Sequence, residues 1–428
     1  MKLNELMIYG DFNYGDVISD MSFIIESSGD NSFENEEKRG VIYSCLHKII
    51  ELADTHGFDG NLWQVYLTFL LVNSENVYSK ACEIQGNVNG SINNIVLHDL
   101  EFFRTLFVYD FTEIEKNLNI PFVSLIENYE NVKTTRKIFN KRIRDRICDL
   151  SIELAKTNSV EEFKETLTKF YKDFGVGKFG LHKAFRIETK NEETQIVPIT
   201  NIAHVHLDDL VGYEIPKQKL IANTKAFVQG KKANNCLLFG DAGTGKSSSV
   251  KAILNYYYPQ GLRMIEIYKH QFKNLNDVIS QIKNRNYKFI IYMDDLSFEE
   301  FEIEYKYLKA VIEGGLEKKP ENVLIYATSN RRHLVREEFG DKAGRRDDLH
   351  SSDTVQEKLS LSARFGESIF FNGPSKKEFN EIVKALAAKN GIKIEEDELL
   401  LLANKWELSH GGKSGRTAQQ FIDHLLGS

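Results

Sequence analysis

One octapeptide limits what this chain can be. Gly240-Asp241-Ala242-Gly243-Thr244-Gly245-Lys246-Ser247 fits G-x-x-x-x-G-K-[ST] at every position. Its flanks agree. The apolar run Cys236-Leu237-Leu238-Phe239 leads in as a strand, and Ser248 to Tyr257 leaves with helical spacing. The glycines let backbone N–H groups turn inward and cradle phosphate oxygens at a helix N-terminus. Lys246 would reach the β- and γ-phosphates of a nucleotide as a point charge, and the Ser247 hydroxyl would ligate Mg²⁺. A second pattern, Gly175-Val176-Gly177-Lys178-Phe179-Gly180, fits G-x-G-x-x-G but follows a helical stripe. It reads as a helix stop and turn rather than a dinucleotide site.

Around the octapeptide the chain has an α/β rhythm. Short apolar runs alternate with helical patterns at Cys236–Phe239, Arg263–Tyr268, Phe289–Met293, Val323–Ala327 and Ser368–Phe371. Continuous apolar strands between helices predict a parallel sheet buried on both faces. Three amphipathic helices follow, on Phe379, Ile382, Val383 and Leu386, on Leu399, Leu402, Ala403 and Trp406, and on Ala418, Phe421, Ile422 and Leu425. They predict a helical lid.

Two strand ends and two arginines carry the other chemistry. The run Phe289 to Met293 ends in Asp294-Asp295, and ligands in open α/β sheets bind at that edge. Asp294 would hold the Mg²⁺ shell. Asp295 would orient or deprotonate an attacking water, with Glu299 as the alternative. Val323 to Ala327 ends in Thr328-Ser329-Asn330, where Asn330 would stand between water and γ-phosphate. Arg364, just before the last strand, and Arg416, opening the last helix, suit phosphate oxygens or surface ion pairs.

The first half, to about residue 206, reads as mostly helical. Ile42, Cys45, Leu46 and Ile49 form one stripe, Ile143, Ile147, Leu150 and Leu154 a second, and Phe163, Leu167, Phe170 and Phe174 a third. Glu26 to Glu37 reads as a loop. The expected domains are a mainly helical partner-choosing domain at 1–200, an α/β core at 201–374 and the lid at 375–428. Four spaced cysteines (Cys45, Cys82, Cys148, Cys236) read as buried thiols in a reducing cytoplasm. The longest apolar run, Leu62 to Asn73, is shorter than the ~20 residues a membrane span needs. A net charge of -7 excludes a globally basic nucleic-acid binder. The local cluster Lys133, Arg136, Lys137, Lys141, Arg142, Arg144 and Arg146 keeps open a basic helix at 133–146.

These residues, in this order, resemble the AAA+ ATPases. The resemblance covers Leu207 to Leu426 and implies a three-layer P-loop sheet with a helical lid. It gives Lys246 and Ser247 the Walker A roles, Asp294 and Asp295 Walker B, Asn330 sensor 1, Arg364 the arginine finger and Arg416 sensor 2. Arg331, Arg332, Arg345 and Arg346 are the alternative fingers. Leu207 to Tyr213 resembles the family's adenine-side box. ATP would then be held by Leu210, Val211 and Gly212, and by Gly240, Asp241, Ala242, Gly243, Thr244, Gly245, Lys246, Ser247 and Ser248. The strings Asp294 to Glu299, Ala327 to Arg332 and Leu359 to Gly366 are similar to one uncharacterised prokaryotic ATP-binding family, numbered 815 among families of unknown function. Most AAA+ proteins carry Glu where this chain has Asp295.

The expected function is Mg²⁺-dependent ATP hydrolysis that remodels an unidentified protein client. A finger acting in trans would imply a homo-oligomer, expected as a ring. The alternatives are a nucleic-acid-linked ATPase or loader, and a nucleotide switch with little turnover.

Overall fold

The computed structural model describes residues 2–27, 35–131, 141–191, 193–200, 202, 205–299, 302–313, 320–332, 334 and 361–427; of 122–123 only the backbone is described. The chain forms two compact units, Met1–His182 and Lys183–Ser428.

The first unit is helical. Its elements are α1 (Asp16–Glu26), α2 (Asn35–His56), α3 (Leu62–Asn73), α4 (Val77–Gln85), α5 (Ile92–Phe107), α6 (Thr112–Leu118), α7 (Phe122–Ile126), α8 (Lys141–Ala155), α9 (Val160–Phe174) and α10 (Gly177–Leu181). Local chemistry sets several ends. The Asn61 and Ser159 side chains accept from the backbone N–H groups of Gln64 and Glu162, capping α3 and α9. Gly175 stops α9 at a φ of 81°, as expected for this glycine pattern. The expected stripes on α2, α8 and α9 face the core, with Phe174 partly buried at the end of the third. The apolar run on α3 is buried in the same core, and among the described residues no helix is long and apolar enough to cross a membrane. Asn35 to Glu37, expected in a loop, already belongs to α2; residues 28–34 of that stretch lie outside the described residues.

The second unit is built on a seven-stranded sheet in the order β2-β1-β4-β5-β6-β3-β7. The strands are β1 (Ala184–Lys190), β2 (Glu193–Pro198), β3 (Cys236–Gly240), β4 (Leu262–Glu266), β5 (Lys288–Met293), β6 (Val323–Ser329) and β7 (Glu367–Phe371). β1 and β2 are antiparallel, and every other pairing is parallel. Helices α11 (Glu214–Val228), α12 (Lys246–Tyr257), α13 (Leu275–Ile282) and α14 (Glu304–Glu313) belong to this α/β core. Leu238, Ile290, Tyr292, Leu324 and Tyr326 form one buried layer with Leu220 of α11 and Val250 and Ile253 of α12.

The sheet corrects two sequence expectations. Residues 184–198 are a β-hairpin, and Ala184 of β1 pairs with Met264 of β4. The helical first half therefore ends at the break between His182 and Lys183, before 200. The second strand expected at Arg263–Tyr268 is Leu262–Glu266; Tyr268 caps the 3₁₀ turn that follows.

The lid comprises α15 (Lys376–Lys389), α16 (Glu396–Ser409) and α17 (Gly415–Gly427). Phe379, Val383, Leu399, Ala403, Ala418, Phe421 and Ile422 make its core. Leu402, expected inside, is on the exposed side of α16, 37% accessible.

Candidate functional site

β3 delivers the chain into the glycine loop, and α12 begins at Lys246. Gly240 has a φ of 138°, and a Cβ there would sit 2.0 Å from the Phe371 carbonyl oxygen on β7. No side chain fits that approach. Gly245 precedes α12 at a φ of 84°, in the left-handed region that glycine enters without strain. At the other side of the loop the Arg416 N–H donates to the Gly243 carbonyl at 3.2 Å, so the first turn of α17 lies directly against it.

The Lys246 ammonium is held inside this loop. It donates to the carbonyls of Gly240 at 2.8 Å and Asp241 at 2.7 Å, and to Asn330 Oδ1 at 3.1 Å. Burial lowers its pKa from the ordinary lysine value, against the opposing pull of Asp241, Asp295 and Asp294. Asn330 also donates from Nδ2 to Asp295 Oδ1 at 2.8 Å. The ends of β3, β5 and β6 thus meet through three side chains.

Asp294 collects hydroxyls. Its Oδ1 accepts from Ser247 Oγ at 2.7 Å, Tyr292 OH at 2.7 Å and Thr328 Oγ1 at 2.5 Å. Burial raises its pKa, but the hydrogen bonds from Thr328, Ser247 and Tyr292 outweigh burial, and the carboxyl sits below its ordinary value. Burial, followed by the charge of Asp294, pushes the Tyr292 phenol far above its own. The next residue, Asp295, has a φ of 48°, a conformation Asp tolerates better than most residues. Its N–H donates to Thr328 Oγ1 at 2.9 Å.

All of this opens on a cavity of about 600 Å³. Lys246, Ser247, Asp294, Asp295, Asn330 and Arg416 line its polar end. Leu210, Val211 and Tyr213 line the other with Ile382 and Leu386 of the lid. Gly212 is beside them, its missing Cβ 4.0 Å from Ile382. Lys217 Nζ braces this wall by donating to the Leu210 carbonyl at 2.6 Å. The volume lies within the ~300–1,000 Å³ range of small-molecule sites.

Residues 180–428 match the family model described as "Protein of unknown function (DUF815)". The chain belongs to this family. No curated protein matches it. Among solved structures, it is similar to the Thermotoga maritima RuvB Holliday junction branch migration motor at 17% identity and a TM-score of 0.37, covering 52% of this chain and 64% of that one. It therefore spans less than two thirds of the RuvB chain. It is also similar to the FIGL-1 AAA domain solved in complex with ADP, at 16% identity and a TM-score of 0.36, covering 53% of this chain and 74% of that one.

In this DUF815 protein the P-loop, the Asp-Asp strand end, Asn330 and Arg416 come together, and Arg364 does not join them. Arg364 precedes β7 and pairs with Glu313 at the end of α14, outside the cavity lining. Glu299 also falls outside that lining; its N–H donates to Glu302 Oε2 at 3.0 Å. Arg331 and Arg332 are exposed, and Arg345 and Arg346 lie outside the described residues. Of the basic run, Lys133, Arg136 and Lys137 also lie outside them. Arg144 pairs with Asp145 at 2.6 Å, and the Arg146 guanidinium stacks 4.1 Å over the Phe174 ring.

Sequence reasoning missed Tyr292 and the bridging hydroxyl of Thr328. Tyr292 had a readable signal. It stands two residues before Asp294, so the strand period puts both on one face.

Proposed function

We propose that this chain is an AAA+-type ATPase that hydrolyses ATP with Mg²⁺ and uses the cycle to remodel a protein partner. The observation that carries the reading is the continuous set of contacts from Lys246 through Asn330 to Asp295, beside the Ser247–Asp294 pair. It sets a lysine ammonium, a carboxylate and a hydroxyl–carboxylate pair around one cavity.

The donors suit the ligands. The Gly240–Ser247 backbone and the start of α12 favour phosphate oxygens. Ser247, Asp294 and Asp295 offer oxygen atoms only, the donor type a hard divalent cation takes. Mg²⁺ bound there would neutralise charge on β- and γ-phosphate oxygens. Lys246 would exchange its loop carbonyls for those oxygens. Asp295, held by Asn330, would take the proton of the attacking water. Leu210, Val211, Ile382 and Leu386 would hold the base, so nucleotide binding would be felt by the lid directly. Arg416, on the first turn of α17, would report the phosphate end to the same lid. Arg364 would complete the site of a neighbouring copy, in a ring.

Phosphate release from ATP, measured with Mg²⁺ and with chelator for wild type and Lys246→Ala, tests the reading. The client is open to capture with an Asp295→Asn chain that binds ATP and does not turn it over.

A further inference from the structure

The Asp294 carboxylate is asymmetric in its partners. Three hydroxyls donate to Oδ1, from Ser247, Tyr292 and Thr328, with the Asp295 N–H a fourth contact at 3.2 Å. A carboxylate oxygen has two lone pairs, so Oδ1 has no capacity left. Among the described residues Oδ2 accepts no hydrogen bond. Two of the hydroxyls come from outside the P-loop. Thr328, 1% accessible, is fixed at the end of β6 and holds the Asp295 N–H with the same oxygen. Tyr292, 2% accessible, rises from β5 on the face that carries Asp294.

A tyrosine is not needed for packing here. Its ring belongs to the buried layer that holds Leu238, Ile290, Leu324 and Tyr326, where Phe would fill the same space without burying a hydroxyl. A buried hydroxyl costs free energy unless it is bonded, and here its partner is the Asp294 carboxylate.

We propose that Tyr292 is a positioning residue that, with Thr328, holds Asp294 by Oδ1 so that Oδ2 is the oxygen turned toward the divalent cation. This rests on the Mg²⁺–nucleotide reading above. Tyr292 is not among the residues lining the cavity, and its phenol acts through Asp294 by denying the carboxylate rotation. Hydrogen-bond partners that orient metal-binding side chains are typically worth about 10- to 100-fold in metal affinity.

The test is binding of a fluorescent ADP analogue to the full chain, titrated with MgCl₂ and repeated in EDTA, with melting temperatures recorded. For Tyr292→Phe we expect the Mg²⁺ concentration giving half the gain in binding to rise about tenfold. Affinity in EDTA should match wild type, because the loop N–H groups and Lys246 are untouched. Thr328→Ser keeps the donor and should behave as wild type, whereas Thr328→Val should shift the Mg²⁺ midpoint as Tyr292→Phe does. An unchanged midpoint in Tyr292→Phe overturns the proposal. So does an equal loss in EDTA and Mg²⁺, which would make the hydroxyl a support of the loop itself. A wild-type chain that binds the analogue with no response to Mg²⁺ overturns both this assignment and the functional reading. A wild-type response that Tyr292→Phe shares overturns this assignment alone.

Discussion

Asn330 donates to Asp295 at 2.8 Å while accepting from Lys246 at 3.1 Å, so one amide joins the P-loop cation to the carboxylate beside the Ser247–Asp294 pair. Amide chemistry suits this place because one group offers both a donor and an acceptor. Asn330→Asp loses the donor and sets a second carboxylate against Asp295. Asn330→Ala leaves Asp295 free to turn. Both variants should bind ATP with near wild-type affinity and lose about a hundredfold in turnover, the scale of removing one preorganised polar group. Single-turnover hydrolysis after a binding titration checks this; a matching loss of binding would contradict it.

Arg364 is tied to Glu313 and stands away from its own chain's cavity. If it serves a neighbour, Arg364→Ala should cut turnover on the order of a thousandfold. Mixing it with Asp295→Asn chains should restore part of the rate, because the second chain supplies the arginine and the first the carboxylate. Absence of restoration at any mixing ratio, together with a specific activity independent of concentration, would remove the role in trans.

Gly240 meets the Phe371 backbone, and the obstruction at 2.0 Å is a carbonyl oxygen that cannot swing away. Gly240→Ala should therefore destabilise the α/β core by on the order of 3 kcal/mol, combining a positive φ with overpacking. Urea titration of the two proteins reads the difference, and coincident midpoints would contradict it.

His56 stacks on Phe58 at 5.2 Å between ring centres, with Phe69 at 5.1 Å. Burial lowers its pKa. Its unfolded value is about 6.5, so below that pH the unfolded chain binds a proton that the folded chain resists. The stability from a neutral His56 is complete above about pH 6.5 and is lost as pH falls through the folded value. His56→Phe keeps the stack and removes the proton. It should lose less melting temperature than wild type between pH 7.5 and 5.5; parallel curves would show that His56 does not titrate on unfolding.

Most of the α/β core was legible because its signals are local. The P-loop needs glycines at fixed spacing, and buried parallel strands read as unbroken apolar runs. The hairpin at 184–198 was harder to read. Phe185 and Ile187 are buried between the exposed Arg186 and the half-buried Glu188, a true alternation, yet charges and threonines dominate its composition. Its place beside β4 depends on a pairing more than seventy residues away. Tyr292 was counted as one more apolar residue on β5, because composition does not reveal where a hydroxyl points. Leu402 followed the helical spacing of α16 but falls on the side away from Phe379 and Phe421, since a three-helix lid buries only a narrow stripe of each helix. Arg364 was legible as a residue; its partner Glu313 lies fifty-one positions earlier and no motif links them.

The central claim is that the loop around Lys246 binds and cleaves ATP. Steady-state phosphate release by the full chain, with Mg²⁺ and with chelator, beside Lys246→Ala, tests it most directly. The account predicts Mg²⁺-dependent release by wild type and a rate at least about a hundredfold lower, at background, for Lys246→Ala. Equal rates for the two proteins, or release unaffected by chelator, would contradict it.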